Sequence, residues 1–472
     1  MEKTPIKDKN AAKNSGDKTQ KLLNAPVGPL VASLAWPAIA SMLVTALYNM
    51  ADTYFVGKID TSATGAVGVS FGLMSIIQAC GFFFGHGSGN FISRKLGMGD
   101  TEPARRMAIT GAVLSFTFGV LIASLGLIFD RPLATLLGST DTMMDYSLRY
   151  MRIILMGAPF MCASFTLNNL LRFQGNTVYG MVGIVIGAVL NIAIDPLFIF
   201  VFDMNIAGAA LATLISQIVS FFVLIAGCLR KESLGLNFRL LTLSNEYLLE
   251  IVRGGAPSLF RQGFMAISVI CLNRACRVAP EAQIDAAIAA MGVVGKIMGF
   301  AFSVIIGVGQ GFQPVCGFNY GAEKYDRVKK AFWLCVWVST GLLAVFSLIG
   351  EIFAPSLVAF FRDDPAVIEI GAAALRFQCS MFILSGFVTM SNMMLQNIGK
   401  VFRASLLAVS RQGLFFVPLV TVLSALFGLT GIYFAQPLSD LFTFVFALIL
   451  HLPVLKSLRT PRDTQNKAEA RS

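Results

Sequence analysis

Twelve apolar stretches of more than twenty residues divide this 472-residue chain, and they constrain its fold more than any motif does. They lie near 30–57, 64–93, 107–129, 145–171, 178–202, 206–229, 247–273, 284–317, 328–354, 367–395, 402–426 and 430–454. Coiled as helix, each is long enough to cross roughly 30 Å of hydrocarbon. Backbone in hydrocarbon must satisfy its own hydrogen bonds, which leaves helices and closed barrels as the only spanning structures. The expected fold is therefore an all-α integral membrane protein with twelve transmembrane helices. Composition agrees: 13% of residues are charged, where a soluble domain of this size carries about a quarter.

Charge placement predicts orientation. Of 37 Lys and Arg, 26 fall in the tails and loops on the side that an even span count gives to both termini, 8 fall opposite, and 3 lie within spans. By the positive-inside rule both termini are expected in the cytoplasm of a plasma or inner membrane protein. The polar, Lys-rich first 25 residues lack the short apolar run and cleavage site of a signal peptide. Residues 1–25 and 460–472 read as solvated tails. The net charge of +11 does not indicate nucleic acid, because the basic residues sit in short loops and not on one face of a soluble module. Eight cysteines lie in or beside apolar segments without metal-ligand spacing, so they read as packing thiols.

The two halves resemble each other at an offset of about 224 residues. "LGMGDTEPARRM" after span two matches "YGAEKYDRVKKA" after span eight, "RFQGNT" matches "QNIGKV", and Pro37 in span one pairs with Pro257 in span seven. Six spans per repeat give both halves the same topology, related by an axis along the membrane normal. The expected division is a tail (1–27), a first lobe (28–231), a linker (232–246), a second lobe (247–455) and a tail (456–472). Two such bundles face a central cavity and can rock, which suits a secondary transporter, neither enzyme nor pore. No phosphate-binding loop for ATP and no K⁺-filter segment is present. The basic loop of a major-facilitator transporter is missing after span two.

Ionisable residues inside spans are rare and functional by default. In the first half these are Asp52, in "YNMADTYFVG", and Asp195, in "NIAIDPLFIF". Counted from the outer loops, both lie at similar height, and Thr213 on span six reaches the same level. Asn191 precedes Asp195 by one helical turn and shares its face. Pro196 lacks an N–H, which frees the carbonyl of Ile192 as an acceptor. An amide, a hydroxyl, a bare carbonyl and two carboxylates make an oxygen-rich nook suited to a hard cation. Paired carboxylates also raise each other's proton affinity, so H⁺ fits as well as Na⁺. The competing account is structural: Asp195 bonds Asn191 or Tyr150 and locks helices together.

In the second half the intramembrane charges are Arg261, Lys296 and Arg411, with no acid expected at their depth. They are either structural or a positive wall that confines coupling cations to the first half or contacts an anionic substrate group. His86, in "FGHGSGN", reads as a locally hydrogen-bonded residue, and His451 carries no assignment.

At these residues the chain resembles the multidrug and toxic compound extrusion (MATE) family: "WPAIASMLVTALYNMADTYFVG", "RKLGMGD", "LRFQGN", and "NIAIDPLFIF" with "IAGAALAT". The resemblance covers roughly 28–455. It implies two six-helix lobes that export organic cations and drugs in exchange for H⁺ or Na⁺, without a cofactor. Carried over by position, Asp52, Asn191, Asp195 and Thr213 couple the cation, Tyr150 and Asn168 join their polar network, and Pro37 marks a bend in helix one. A second branch of the family has an acid in helix seven, and "SLFRQGFMAISVICLN" has none. The expected partners are small-molecule drugs and the lipid bilayer, and the expected state is monomeric. The alternative function is a flippase for lipid-linked precursors, which shares the two-lobe plan.

Overall fold

The computed structural model describes residues 18–56, 61–141, 143–230, 232–280 and 283–458. Among them every regular element is helical. The first lobe holds α1 (Val27–Val56), α2 (Thr61–Gly97), α3 (Thr101–Ile128), α4 (Met144–Phe173), α5 (Thr177–Pro196) and α6 (Asn205–Cys228). The second begins with α7 (Asn245–Ala275), α8 (Ile284–Gly321) and α9 (Tyr325–Ile352). Its next span, α10, is broken: Pro365–Phe382 and Ser385–Asn397 meet at 57°.

The stretch Val401–Ser457 is too long for one crossing. It divides at Gly428, whose φ of 59° and ψ of −137° only glycine adopts without strain. Residues 401–427 (α11) and 429–457 (α12) then run antiparallel, with Arg403 donating to the Leu450 carbonyl at 3.4 Å and Arg411 facing Asp440. Twelve spans result among the described residues, as the apolar segments predict.

The repeat survives in three dimensions. Short helices follow α3 and α9, Asp130–Leu136 and Ala354–Phe361, and their starts differ by 354 − 130 = 224. Gly175 and Gly399, both at φ +80°, end α4 and α10 and differ by 399 − 175 = 224.

The lobes meet along α1–α8 and α2–α7. Gly87 and Gly254 face each other so closely that a Cβ on either would strike backbone of the opposite helix. Small residues of this kind let membrane helices approach and gain packing without a hydrophobic driving force. Gly311 of α8 sits likewise on Ala35 of α1. Arg94 of α2 closes the seam, with Nη2 2.9 Å from Glu250 of α7 and Nη1 donating to the Asn397 carbonyl at 2.7 Å. All these contacts lie toward the end that carries the termini. Toward the other end, Gly292, Gly295 and Gly299 of α8 and Gly263 of α7 have open space where a side chain would be. The lobes are thus joined at one end and parted at the other.

The N-terminal segment corrects the tail reading. Residues 1–17 and 459–472 lie outside the described residues, but 18–24 are helical and packed. Lys18 donates to Asn176 of the first lobe and pairs with Glu232 of the linker, both at 2.6 Å. Asn319, Lys324 and Arg327 of the second lobe reach the carbonyls of Leu22, Leu23 and Ala25. The segment straps both lobes, because its free carbonyls match a basic loop that needs acceptors.

Candidate functional site

Asp195 is fully buried near the end of α5, and Asp52, 3% exposed, sits on α1. The two carboxylates stand on α1 and α5, which pack against each other. Asn191 lies one turn before Asp195, and its Nδ2 donates to Asp195 Oδ1 at 3.2 Å and to Thr213 Oγ1 of α6 at 3.4 Å. Tyr150 of α4 is fully buried, facing Thr213 without a hydrogen bond of normal geometry. Asp52 Oδ1, Asp195 Oδ2, Asn191 Oδ1 and the Tyr150 hydroxyl have no partner among the described residues. Buried oxygens left this way carry a desolvation cost that a bound cation relieves.

A cavity opens beside this cluster, with about 820 Å³ of empty space that is partly continuous with the surroundings. Asn191 and Thr213 are on its wall. The carboxylates stand behind it. Tyr48, Gln78, Ser216 and Gln217 also line it and were not singled out from the sequence. Helical spacing gives the signal for two of them: Tyr48 precedes Asp52 by one turn, and Gln217 follows Thr213 by one.

Pro196 ends α5, and the chain continues as a π-helical turn, Leu197–Val201, so the backbone widens there. A second π segment, Ser410–Phe416, holds Arg411. Such turns recur at functional sites because they re-aim side chains within a helix. Helix α1 stays helical across Pro37, with Ser41 donating to the Pro37 carbonyl at 2.9 Å.

Two expectations need correction. Asn168 does not join the network. Its amide lies against Gly180 near the start of α5, eleven residues before Asn191, and the cavity wall does not include it. Its depth along α4 belongs to the opposite half of the lobe. The second lobe also has a buried acid: Asp440, 2% exposed, accepts from Arg411 Nε at 2.8 Å and Nη2 at 3.3 Å. The guanidinium also lies 4.9 Å from the Phe302 ring centroid. The hairpin of α11 and α12 brings these together, so Arg411 is neutralised and does not stand as a free positive wall. Lys296, twelve residues from the start of α8, is exposed on the same face as Gly292, Gly295 and Gly299, where the lobes part.

His86 makes a local bond as expected, and it is also buried in the seam, which the sequence alone does not indicate. Nδ1 lies 3.1 Å from the Phe82 carbonyl and 3.0 Å from Ser258 Oγ of α7, and Nε2 is 3.2 Å from Arg172. Gln396 donates to Ser258 at 2.9 Å, which carries the chain of contacts into α10. Arg172 also bonds Asn169. Arg261 is half-buried on α7.

Two six-helix bundles sharing an interior seam, with carboxylates buried in both, define a transporter class of multi-pass membrane protein. The family model described as MatE matches residues 37–197 and 284–422. The chain belongs to this family of multidrug efflux transporters. It is 26% identical over 416 residues to the multidrug export protein MepA of Staphylococcus saprophyticus, covering 88% of this chain and 91% of that one. MepA of Staphylococcus aureus matches at 26% over 419 residues, with the same coverage. Among solved structures, a MATE in complex with MaL6 superposes with a TM-score of 0.87 at 24% identity, covering 93% of this chain and 98% of that one. An outward-facing multidrug resistance MATE transporter of the MOP superfamily gives the same values. At that identity these two show the fold.

Proposed function

We propose that this protein exports organic cations and amphipathic drugs by antiport, with H⁺ or Na⁺ entering at Asp52 and Asp195. The observation that carries this reading is the pair of buried carboxylates with unpartnered oxygens behind the wall of a polar cavity. Two bare acids so placed are costly unless a cation occupies them. The cation enters when the first lobe faces outside and leaves when the lobes rock. Asn191 holds one oxygen of Asp195 and Thr213 at once, so loading the carboxylate is felt on α6 and at the cavity wall. Drug occupies the cavity in the emptied state. In this reading the joined ends of the lobes face the cytoplasm, which the Arg and Lys placement supports, and the arrangement is outward-facing.

Asp195→Asn and Asp52→Asn should each abolish drug efflux from reconstituted vesicles while leaving insertion and folding intact. Efflux by either variant at the wild-type rate overturns the coupling site. Imposing a pH gradient without Na⁺, then the reverse, identifies the ion.

A further inference from the structure

We propose that a cleft at the cytoplasmic edge of the second lobe binds an anionic phospholipid, its acyl chains on either side of Phe402 and its phosphate held by Arg253 and Lys400. The cytoplasmic placement rests on the orientation proposed above. The ligand chemistry does not.

Two clefts flank the start of α11 and share Val401 and Phe402. One, toward α7, has about 1230 Å³ of empty space, and the other, toward the end of α12, has about 730 Å³. Phe402 is 78% exposed between them. The walls are largely apolar and include no Asp or Glu, while Arg253, Lys400 and Arg403 stand on them. Arg253 and Lys400 are exposed. The nearby acid on α7, Glu250, is already taken by Arg94. An apolar double groove with a purely cationic rim complements a two-chain lipid with a negative headgroup. It does not complement a zwitterionic one.

The internal repeat supplies an independent observation. The first-lobe counterpart of Lys400 is Asn176, since 400 − 224 = 176. There the chain covers its own cleft: Leu22 closes on Gly175, Lys18 donates to Asn176, and Asn176 donates to Ser233 at 3.0 Å. In the second lobe the same position carries a lysine, and no described segment covers it. Residues 459–472 are an unsuitable cover by charge, with four basic and two acidic side chains against a basic rim.

The test is native mass spectrometry of the full chain released from detergent with phosphatidylglycerol or phosphatidylethanolamine of identical acyl chains. Wild type should retain phosphatidylglycerol preferentially, and Arg253→Gln with Lys400→Gln should weaken that retention about tenfold or more. A control that removes the same charge elsewhere, Arg105→Gln with Lys330→Gln, should retain it like wild type. Phe402→Ala should weaken both lipids. Equal retention of the two headgroups, or equal loss in the control, overturns the proposal. So does phosphatidylglycerol binding that appears only after deletion of residues 459–472, which would make the tail the occupant. Retention needs no transport, so its failure is separable from failure of the antiport reading.

Discussion

At the scale of single residues, the second-lobe ion pair illustrates where counting along a chain stops. Asp440 and Arg411 are both visible in the sequence, but pairing them requires the turn at Gly428 and the π segment around Arg411. The first-lobe cluster was more legible, because Asn191 and Asp195 share a helix face by spacing alone. Asn168 was misplaced for the converse reason: depth on α4 cannot be judged without knowing which end of α5 it meets. Arg411→Met removes the charge partner of buried Asp440 and leaves it only the Gln436 amide at 2.9 Å, so it should cost about 3 kcal/mol. Arg411→Met with Asp440→Asn should recover most of that loss. Thermal midpoints of the purified variants measure both, and equal midpoints for the single and double variants would show that the pair is not coupled.

At the scale of helices, existence and number follow from apolar length, whereas the contacts between them follow from where side chains are missing. The twelve segments could be counted from hydropathy. That α7 lies against α2 at Gly87 and Gly254 could not, since either glycine alone reads as ordinary helix. Gly254→Leu should disfavour the closed seam by about 1–3 kcal/mol, the usual cost of overpacking a tight contact. The population should shift toward the state open at the end carrying the termini. In a cysteine-free background, Ser93→Cys, buried in that seam, should then react faster with a water-soluble maleimide. Unchanged labelling would mean that the glycine contact does not hold the lobes together.

At the scale of the whole molecule, the duplicated six-helix plan was legible because loop motifs repeat at a fixed offset, and the short helices after α3 and α9 keep it. The strap was not legible, because polar composition at a chain start looks like solvated tail whether or not it has partners. Lys18 holds the Glu232 carboxyl below its usual range by a hydrogen bond and its charge. A lowered carboxylate contributes its stabilisation above the unfolded-state range and loses it as pH falls through the folded value. Hydrogen-exchange protection of residues 18–25 should therefore be flat between about pH 6 and pH 8 and fall only under stronger acid. Loss of protection within the neutral window would assign the strap's hold to another group.

The same segment decides where a reporter can be attached. Anything fused ahead of Lys18 adjoins a segment bonded to both lobes, which the proposed cycle would separate at that end. A bulky fluorescent partner there biases the very equilibrium it is meant to report, whereas one joined after Ser472 leaves those anchors alone.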